Sequence, residues 1–306
     1  MKALAIAGRD AAPAVAEIPT PEPATGEVRL RLEAASVNGF DLAVAAGYVW
    51  DVMPHEFPVV LGRDFVGTVD AVGADVTQVK VGDRVAGLIA GGLGAGGIGQ
   101  SVVAAADSLV VVPAGLSSVD AAAVGLAGIA ALDAVDAAGV TADDTVLVSG
   151  AAGGVGSLAV QLASARGAAV IATARPGEQA DFVSSLGAKH VVDYAGDVAA
   201  AVREIEPDGV DKVVHAAGDP AALATTLRAG GVLSSLVGAA AEQLGRADVT
   251  VTAVMAHATP EKLADLLAQV ADGRLQVHVG ATVPIERAGD ALSAFSGTLG
   301  KVIVTG

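Results

Sequence analysis

Residues 146–156, V-L-V-S-G-A-A-G-G-V-G, constrain the fold of this chain more than any other segment. A β-branched apolar run enters a cluster of four glycines, and a second apolar run that can form a helix follows. Glycine permits a tight turn and lets a pyrophosphate approach the N–H groups at a helix N-terminus, where the dipole is positive. The cluster departs from G-x-G-x-x-G, because Ala151 stands at the first position when Gly153 and Gly156 are aligned. The strand–turn–helix context favours a dinucleotide-binding loop over a purely structural turn.

Predicted strands and helices alternate around this loop. The pattern predicts a helix over 117–138, capped by Ser117, and helices over 155–166 and 176–186. The predicted strands cover residues 145–149, 169–174, 190–193, 210–216, 232–237 and 249–254. Alternation of this kind indicates a parallel, doubly wound sheet with right-handed crossovers.

The flanking segments have a different pattern. Residues 28–33 alternate apolar and charged, which is typical of a half-buried strand, and glycine-interrupted β-branched runs follow up to residue 89. Residues 276–306 return to short strands around one helix. The sequence therefore predicts an α/β chain with a discontinuous β-rich domain and an inserted parallel-sheet domain. The predicted bounds are 1–115 and 258–306 for the first domain and 116–257 for the second.

The residues at the end of the next strand after the glycine loop indicate whether the cofactor is NAD or NADP. An NAD site usually places an acidic residue there, about 20 residues beyond the loop, to bind the ribose 2′-hydroxyl. Here residues 171–176 read I-A-T-A-R-P, with Arg175 and no acid. A guanidinium binds a 2′-phosphate through charge-assisted hydrogen bonds worth about 1.5–3 kcal/mol. We predict NADPH as the cofactor; the alternative is a solvated arginine at the start of a helix.

Charge and cysteine content exclude several classes of function. Asp and Glu outnumber Lys and Arg by 34 to 18, a net charge of −16, and such a surface does not suit a nucleic-acid partner. The absence of cysteine excludes disulfides, thiolate zinc sites, iron–sulfur clusters and a cysteine nucleophile. None of the five histidines has the spacing of metal ligands. We expect a cytoplasmic protein.

Mean hydropathy is high, at +0.59, and raises the question of a membrane span. Two windows, residues 85–106 and 145–165, lack charge over about the length of a span. The first contains seven glycines, and the second is the predicted strand, turn and helix. The N-terminal apolar run is too short for a signal peptide. We expect no membrane association.

Five segments in order resemble motifs of the medium-chain dehydrogenase/reductase superfamily, and within it the zinc-independent quinone oxidoreductases of the zeta-crystallin-like group. These segments are S-V-N-G-F-D at 36–41, G-R-D-F-V-G at 62–67, V-G-D-R-V at 81–85, the glycine loop at 150–156 and G-K-V at 300–302. The resemblance covers nearly the whole chain. It implies a discontinuous GroES-like catalytic domain, a Rossmann domain with a doubly wound parallel sheet, and a homodimer formed through a strand at 249–255.

The resemblance also implies roles for individual residues. Gly153, Gly154 and Val155 would hold the pyrophosphate, and Tyr194 would contact the 2′-phosphate beside Arg175. The other expected cofactor contacts are Asn38, Ala130, Thr173, Ala216, Ala217, Val237 and Gly238. The expected catalytic residues are Asn38, Asp41 and Tyr48.

The residues at the family's zinc position favour a reaction without a metal. Arg63 and Asp64 stand where zinc-dependent relatives have a His–Glu pair, and a cationic arginine repels a dication. Quinones and α,β-unsaturated carbonyls need less activation than simple alcohols, because conjugation spreads the developing charge. We therefore expect hydride transfer from NADPH to such a substrate. The alternatives are an enoyl-thioester reductase and a low-turnover NADPH-binding sensor, the latter because Ala43 and Ala130 replace polar residues of the family.

Overall fold

A computed structural model describes residues 1–306. Its strands are β1 Lys2–Ile6, β2 Ala14–Glu17, β3 Glu27–Val37, β4 Val59–Val60, β5 Asp64–Val72, β6 Arg84–Leu88, β7 Ser101–Ala105, β8 Val110–Val111, β9 Thr145–Ser149, β10 Ala169–Thr173, β11 His190–Val192, β12 Val210–His215, β13 Leu227–Ser235, β14 Thr250–Ala253, β15 Val279–Pro284 and β16 Lys301–Thr305. Its helices are α1 Gly39–Ala45, α2 Ser118–Ala137, α3 Gly154–Ala165, α4 Glu178–Ser185, α5 Val198–Ile205, α6 Pro220–Ala224, α7 Ala241–Leu244, α8 Pro260–Ala271 and α9 Ala288–Ala294.

The chain divides into two compact units. The first unit comprises Met1–Leu126 and Ala258–Gly306, and the second comprises Ala127–His257. The boundary between Leu126 and Ala127 falls inside α2. It lies next to Gly125, whose φ and ψ of −40° and −108° are not helical. The sequence-based boundary, between residues 115 and 116, precedes this helix. The predicted α/β class, with a discontinuous β-rich part and a parallel sheet, is confirmed.

Two sheets build the first unit. The larger has the strand order β15-β16-β3-β5-β6-β8, with β7 also paired to β3, and the smaller has the order β2-β1-β4. Along β3, buried apolar residues alternate with charged ones from Val28 to Glu33, as predicted. Strand β16 pairs antiparallel with the C-terminal part of β3, so the segment after residue 258 completes the sheet that the first segment begins.

The second unit is a six-stranded parallel sheet in the order β11-β10-β9-β12-β13-β14. The chain moves outward from β9 through β10 to β11, and then returns to the other side of β9 to form β12. The order of winding therefore reverses between β9 and β12. In sheets of this kind ligands bind beside the carboxyl ends of the strands at such a reversal.

Helix α2 begins where the sequence predicts. The Ser117 hydroxyl oxygen accepts a hydrogen bond from the Asp120 N–H at 3.0 Å, which is the expected cap. By length and composition α2 is also the one helix that is apolar enough to cross a membrane. However, 67% of its most apolar window is buried inside the protein. A core helix passes the same test, so α2 is weak evidence for a span.

Candidate cofactor site and buried polar cluster

The glycine loop connects β9 to α3 in the second unit. Gly150 has a φ of +67°, and a Cβ at Gly156 would lie 2.2 Å from the carbonyl oxygen of Gly150. A Cβ at Gly153, the N-cap of α3, would meet nothing closer than that same oxygen at 3.4 Å. Conformation and packing thus account for Gly150 and Gly156 but not for Gly153. The space beside Gly153 lets a ligand approach the first N–H groups of α3, those of Gly154 and Val155.

Arg175 and Tyr194 form a pair beyond the ends of β10 and β11, which are neighbours in the sheet. Arg175 Nε donates a hydrogen bond to Tyr194 Oη at 3.2 Å, and the guanidinium carbon lies 5.4 Å from the centre of the tyrosine ring. Both side chains are exposed, and Arg175 makes no ion pair within residues 1–306. This cation has no internal counter-charge and is available to an anionic group.

Four polar side chains occupy the last positions of four adjacent strands. We call them the carboxyl-end row: Thr173, Ser149, His215 and Ser235, in the order β10-β9-β12-β13. Each is at most 3% exposed. Thr173 Oγ1 accepts a hydrogen bond from the Gly150 N–H at 3.1 Å, and Ser149 Oγ accepts one from the Ala216 N–H at 3.2 Å. The buried side chain of Thr173 thus fixes the backbone of Gly150, where the glycine loop begins.

The remaining expected cofactor residues of the second unit lie around this row, apart from Ala130. Ala216 and Ala217 follow β12, while Val237 and Gly238 follow β13. Val237 is 58% exposed and Gly238 has a φ of +81°. Ala130 lies within α2 and is 8% exposed.

Asn38 belongs to a buried polar cluster in the first unit. Its Oδ1 accepts a hydrogen bond from the Lys301 ammonium at 2.7 Å, and its Nδ2 donates to Ser36 Oγ at 3.1 Å and to Asp64 Oδ2 at 3.2 Å. The ammonium also donates to the Val37 carbonyl oxygen at 2.9 Å. Burial lowers the pKa of Lys301, and the charges of Asp64 and Asp41 oppose that effect. We call Ser36, Asn38, Asp41, Asp64 and Lys301 the buried cluster.

Asp41 connects the start of α1 to the turn before β5. One carboxylate oxygen accepts from the Asn38 N–H and the other from the Gly62 N–H, both at 2.8 Å. Burial raises the pKa of Asp41 to about 6, although both hydrogen bonds favour the ionised form. Asp41 thereby fixes the backbone on both sides of the cluster.

Tyr48 is not brought into the buried cluster. It follows α1 in the turn at residues 46–52, and it is 81% exposed. The structure therefore unites two of the three expected catalytic residues, Asn38 and Asp41, and leaves the third at the surface of the first unit.

Sequence reasoning missed Ser36, Asp64 and Lys301 as partners of Asn38. Asp64 and Lys301 lie in the motif segments 62–67 and 300–302, but no spacing joins them to residue 38. It also missed Ser149 and Ser235. For Ser149 a signal was available, because it is the small polar residue that ends the predicted strand 145–149, whereas Ser235 lies inside the predicted strand 232–237.

Comparisons with known proteins agree with this architecture. The model of the "Alcohol dehydrogenase GroES-like domain" matches residues 24–114, and that of the "Zinc-binding dehydrogenase" matches residues 154–258. A chloroplast envelope quinone oxidoreductase homolog of Arabidopsis thaliana is 38% identical over 207 residues, which are 66% of this chain and 62% of that protein. The match with this curated relative thus spans less than two thirds of the relative's length.

Solved structures match over the whole chain. An alcohol dehydrogenase superfamily protein from Novosphingobium aromaticivorans has a TM-score of 0.87 at 31% identity, and covers 100% of this chain and 99% of its own. A mycobacterial protein solved in complex with NADPH has a TM-score of 0.88 at 29% identity, with 100% of both chains covered.

The zinc that one matched description implies does not fit the residues present. The chain has no cysteine, and no group of three or more His, Asp or Glu within residues 1–306 is placed to hold a metal ion. Asp64 already accepts four hydrogen bonds, from Ser36 twice, from Asn38 and from the Leu126 N–H. The neighbouring cations are the Lys301 ammonium in the cluster and Arg63 at the adjacent position. This donor set excludes a resident zinc ion.

Proposed function

The chain belongs to the medium-chain dehydrogenase/reductase superfamily, in its quinone oxidoreductase group, and from that premise we propose that it is an NADPH-dependent oxidoreductase that works without zinc. The proposed reaction transfers a hydride to a quinone or an α,β-unsaturated carbonyl. The observation that carries the proposal is the position of Arg175. This cation has no carboxylate partner, and it lies beside Tyr194 just after β10, the strand that follows the glycine loop in the sequence.

The residues of the second unit suit this cofactor. The free N–H groups of Gly154 and Val155 and the positive end of α3 would bind the pyrophosphate, and the space beside Gly153 would admit it. Arg175 would bind the 2′-phosphate with charge-assisted hydrogen bonds, and Tyr194 orients the guanidinium. When bound, the cofactor supplies the hydride from the nicotinamide ring; the protein supplies position and electrostatics.

The donor set of the first unit supports the proposed substrate class. A ketone or alcohol needs an electrophile worth several kcal/mol at its oxygen, which a zinc ion provides in other enzymes. The buried cluster offers no set of zinc ligands. A conjugated acceptor spreads its own negative charge and therefore needs less help. The relative from Arabidopsis thaliana carries quinone oxidoreductase in its name, which supports the same class.

A binding and turnover assay tests the proposal. Fluorescence titration of the purified chain with NADPH and NADH should show tighter binding of NADPH. A benzoquinone, an enone and an enoyl-thioester are then added separately. NADPH absorbance should fall with the benzoquinone or the enone, at a rate that a metal chelator leaves unchanged.

The other outcomes of that assay are equally informative. Turnover of an enoyl-thioester alone would replace the proposed substrate class. Tight NADPH binding with no turnover of any acceptor would make the protein a sensor. Failure to bind either dinucleotide would contradict the proposal as a whole.

A further inference from the structure

His215 differs from the rest of the carboxyl-end row because both nitrogens of its ring have hydrogen-bond partners, one in the loop after its own strand and one on the neighbouring strand β13. One ring nitrogen, Nε2, lies 3.0 Å from the Gly218 carbonyl oxygen, and the other, Nδ1, lies 3.0 Å from Ser235 Oγ. Gly218 belongs to the loop after β12, and Ser235 ends β13. His215 therefore links two strand ends of the parallel sheet through its own ring.

The partners of the ring fix its tautomer. A carbonyl oxygen only accepts, so Nε2 carries the hydrogen and donates to Gly218. Nδ1 is then an acceptor, and the Ser235 hydroxyl donates to it. The Ser235 oxygen in turn accepts from the Val237 N–H at 3.3 Å and the Ala239 N–H at 3.0 Å. The neutral ring thus completes a chain of hydrogen bonds that organises the loop after β13.

A protonated ring would break this chain. Nδ1 would become a donor, whereas both acceptor positions of Ser235 Oγ are already occupied by backbone N–H groups. The groups that face the ring from the neighbouring strands are the neutral Ser149 and Ser235. The one charged group that acts on it is Asp219 at the N-cap of α6. Burial lowers the pKa of His215, and this outweighs the opposing effects of Gly218 and Asp219.

We propose that neutral His215 is a positioning residue for the dinucleotide, which sets the loops 216–218 and 236–239 in the geometry that binds the ribose and the nicotinamide. The inference rests on the proposed cofactor function, since those loops contain the expected contacts Ala216, Ala217, Val237 and Gly238. It adds that cofactor affinity depends on the charge state of a buried residue behind the loops. Acidification should therefore weaken binding although none of these four contact residues has a side chain that gains a proton.

Two substitutions of His215 distinguish the hydrogen bond from Ser235 from the hydrogen bond to Gly218. In His215→Asn the amide oxygen replaces Nδ1 as the acceptor for Ser235 and cannot be protonated. We expect this variant to bind NADPH within about threefold of wild type at about pH 8. His215→Leu fills similar space with no acceptor, and we expect its affinity to fall about tenfold at the same pH. His190→Asn is the matched control, because His190 is an exposed histidine of the same unit.

The test is the ratio of NADPH dissociation constants for wild type and His215→Asn at about pH 8 and about pH 5.5. The 2′-phosphate also titrates in this range, but it does so equally in both proteins and cancels in the ratio. We expect wild type to weaken more than His215→Asn on acidification, by at most about tenfold, because the pKa of His215 lies below the ordinary histidine value of about 6.5. His190→Asn should weaken as wild type does.

An equal pH dependence in wild type and His215→Asn would overturn the inference, and so would wild-type affinity in a folded His215→Leu. If His215→Leu does not fold, the comparison of wild type with His215→Asn still decides. If only the inference about His215 is wrong, wild type still binds NADPH. Failure of the proposed function abolishes binding in every protein, so the two failures are distinguishable.

Discussion

The amide of Asn38 is almost fully used inside the first unit. Its Nδ2 donates to Ser36 and Asp64, and its Oδ1 accepts from Lys301. One acceptor position on Oδ1 is left for any further partner. Asn38 therefore cannot donate a hydrogen bond to a cofactor or substrate unless it gives up one inside the cluster. Its expected role near the nicotinamide is limited to that of an acceptor.

The Lys301 ammonium should be essential to the stability of the cluster. Lys301→Met keeps most of the apolar stem but removes the donor to Asn38 and the positive charge that acts on Asp64 and Asp41. Breaking a buried charge arrangement by removing one partner costs about 3 kcal/mol or more. Urea unfolding measures this loss. Lys80→Met, at an exposed lysine paired with Asp83, should change the free energy of unfolding by less than about 1 kcal/mol. Equal effects of the two substitutions would refute the role assigned to Lys301.

Asp41 should make stability depend on pH in a defined direction. Its pKa is about 6 in the folded protein, against an ordinary value of about 3.9. Between these values the folded protein holds a proton that the unfolded chain has released. The corresponding stabilisation is complete below about pH 4 and is lost as the pH rises through about 6. Relative to Asp41→Asn, wild type should lose about 2 kcal/mol of unfolding free energy between about pH 4 and pH 7. A constant difference over this range would contradict the prediction.

Arg175 should determine the choice between the two dinucleotides. Arg175→Ala removes the cation that we assign to the 2′-phosphate and leaves the glycine loop untouched. We expect the preference for NADPH over NADH to fall by about tenfold to 100-fold, mainly through weaker binding of NADPH. Fluorescence titration with both dinucleotides measures the ratio. Arg228→Ala, at an arginine paired with Asp211 in the same unit, is the control and should leave the ratio unchanged.

At the scale of elements, the break in α2 has an identifiable cause. A Cβ at Gly125 would lie 3.0 Å from both Cβ and Oδ2 of Asp64, and the next N–H, that of Leu126, donates to the same carboxylate. Glycine at this position therefore lets Asp64 accept a bond from the helix backbone. The contact with Asp64, a member of the buried cluster, thus accounts for the interruption of α2.

Gly125→Ala should consequently destabilise the first unit. The added methyl group would press on Asp64, and overpacking of this kind costs about 1–3 kcal/mol. Gly289→Ala in α9 is the matched control, because nothing lies within 4 Å of its added Cβ. That substitution should be neutral or stabilise by up to about 1 kcal/mol. Thermal and urea unfolding measure the stability of both variants. An unchanged free energy of unfolding in Gly125→Ala would contradict the close contact between Gly125 and Asp64 as the reason for glycine at this position.

The strands of the parallel sheet show how far the sequence predicts elements. Strand β9 has its predicted bounds, because an apolar run ends at Gly150, where the conformation changes. Strand β13 begins at Leu227 rather than at residue 232. The intervening R-A-G-G carries no apolar alternation, and the pairing with β12 shifts register before Val232. Its first part is therefore specified by its neighbours rather than by its own sequence.

Short helices escaped prediction for a similar reason. Helices α1, α5, α6 and α7 were not predicted; each has eight residues or fewer, about two turns at most, so its sequence shows little helical period. Helix α4 begins at Glu178, after the predicted start at residue 176. Gly177, with a φ of +89°, is its N-cap and excludes Pro176 from the first turn.

The candidate site was predictable to the extent that it is local. The glycine loop, Arg175 and the motif containing Asn38 and Asp41 each lie in one short segment. The bond between Lys301 and Asn38 joins residues 263 positions apart, and the bond between His215 and Ser235 requires the strand order of the sheet. Such partners depend on tertiary structure and have no signature in spacing.

At the scale of the whole molecule, we propose that residues 249–255 form the contact of a homodimer. Strand β14 ends the order of the parallel sheet and pairs only with β13, so its outer N–H and C=O groups have no strand partner. Met255, just beyond it, is 89% exposed. The same strand of a second copy would satisfy these groups.

Met255→Asp should dissociate such a dimer. Symmetry places two copies of the new carboxylate at one interface, where like charges repel. Light scattering of the eluted protein should show a dimer for wild type and a monomer for the variant. Val52→Asp, at a 77%-exposed valine of the first unit, should remain a dimer. A monomeric wild type would contradict the proposal directly.

The pairing of β3 with β16 has a consequence for synthesis on the ribosome. Strand β3 can pair with β5 and β7 soon after it emerges, but β16 emerges only after all 131 residues from Ala127 to His257 have been translated. The inserted Rossmann segment has all its own strands available first and can close as the polypeptide grows. The surrounding segment must wait with Asn38 and Asp64 lacking their cation, since Lys301 arrives with the final strand. Translation thus gives the first unit an assembly order, in which Lys301 supplies the counter-charge for a residue made 263 positions earlier.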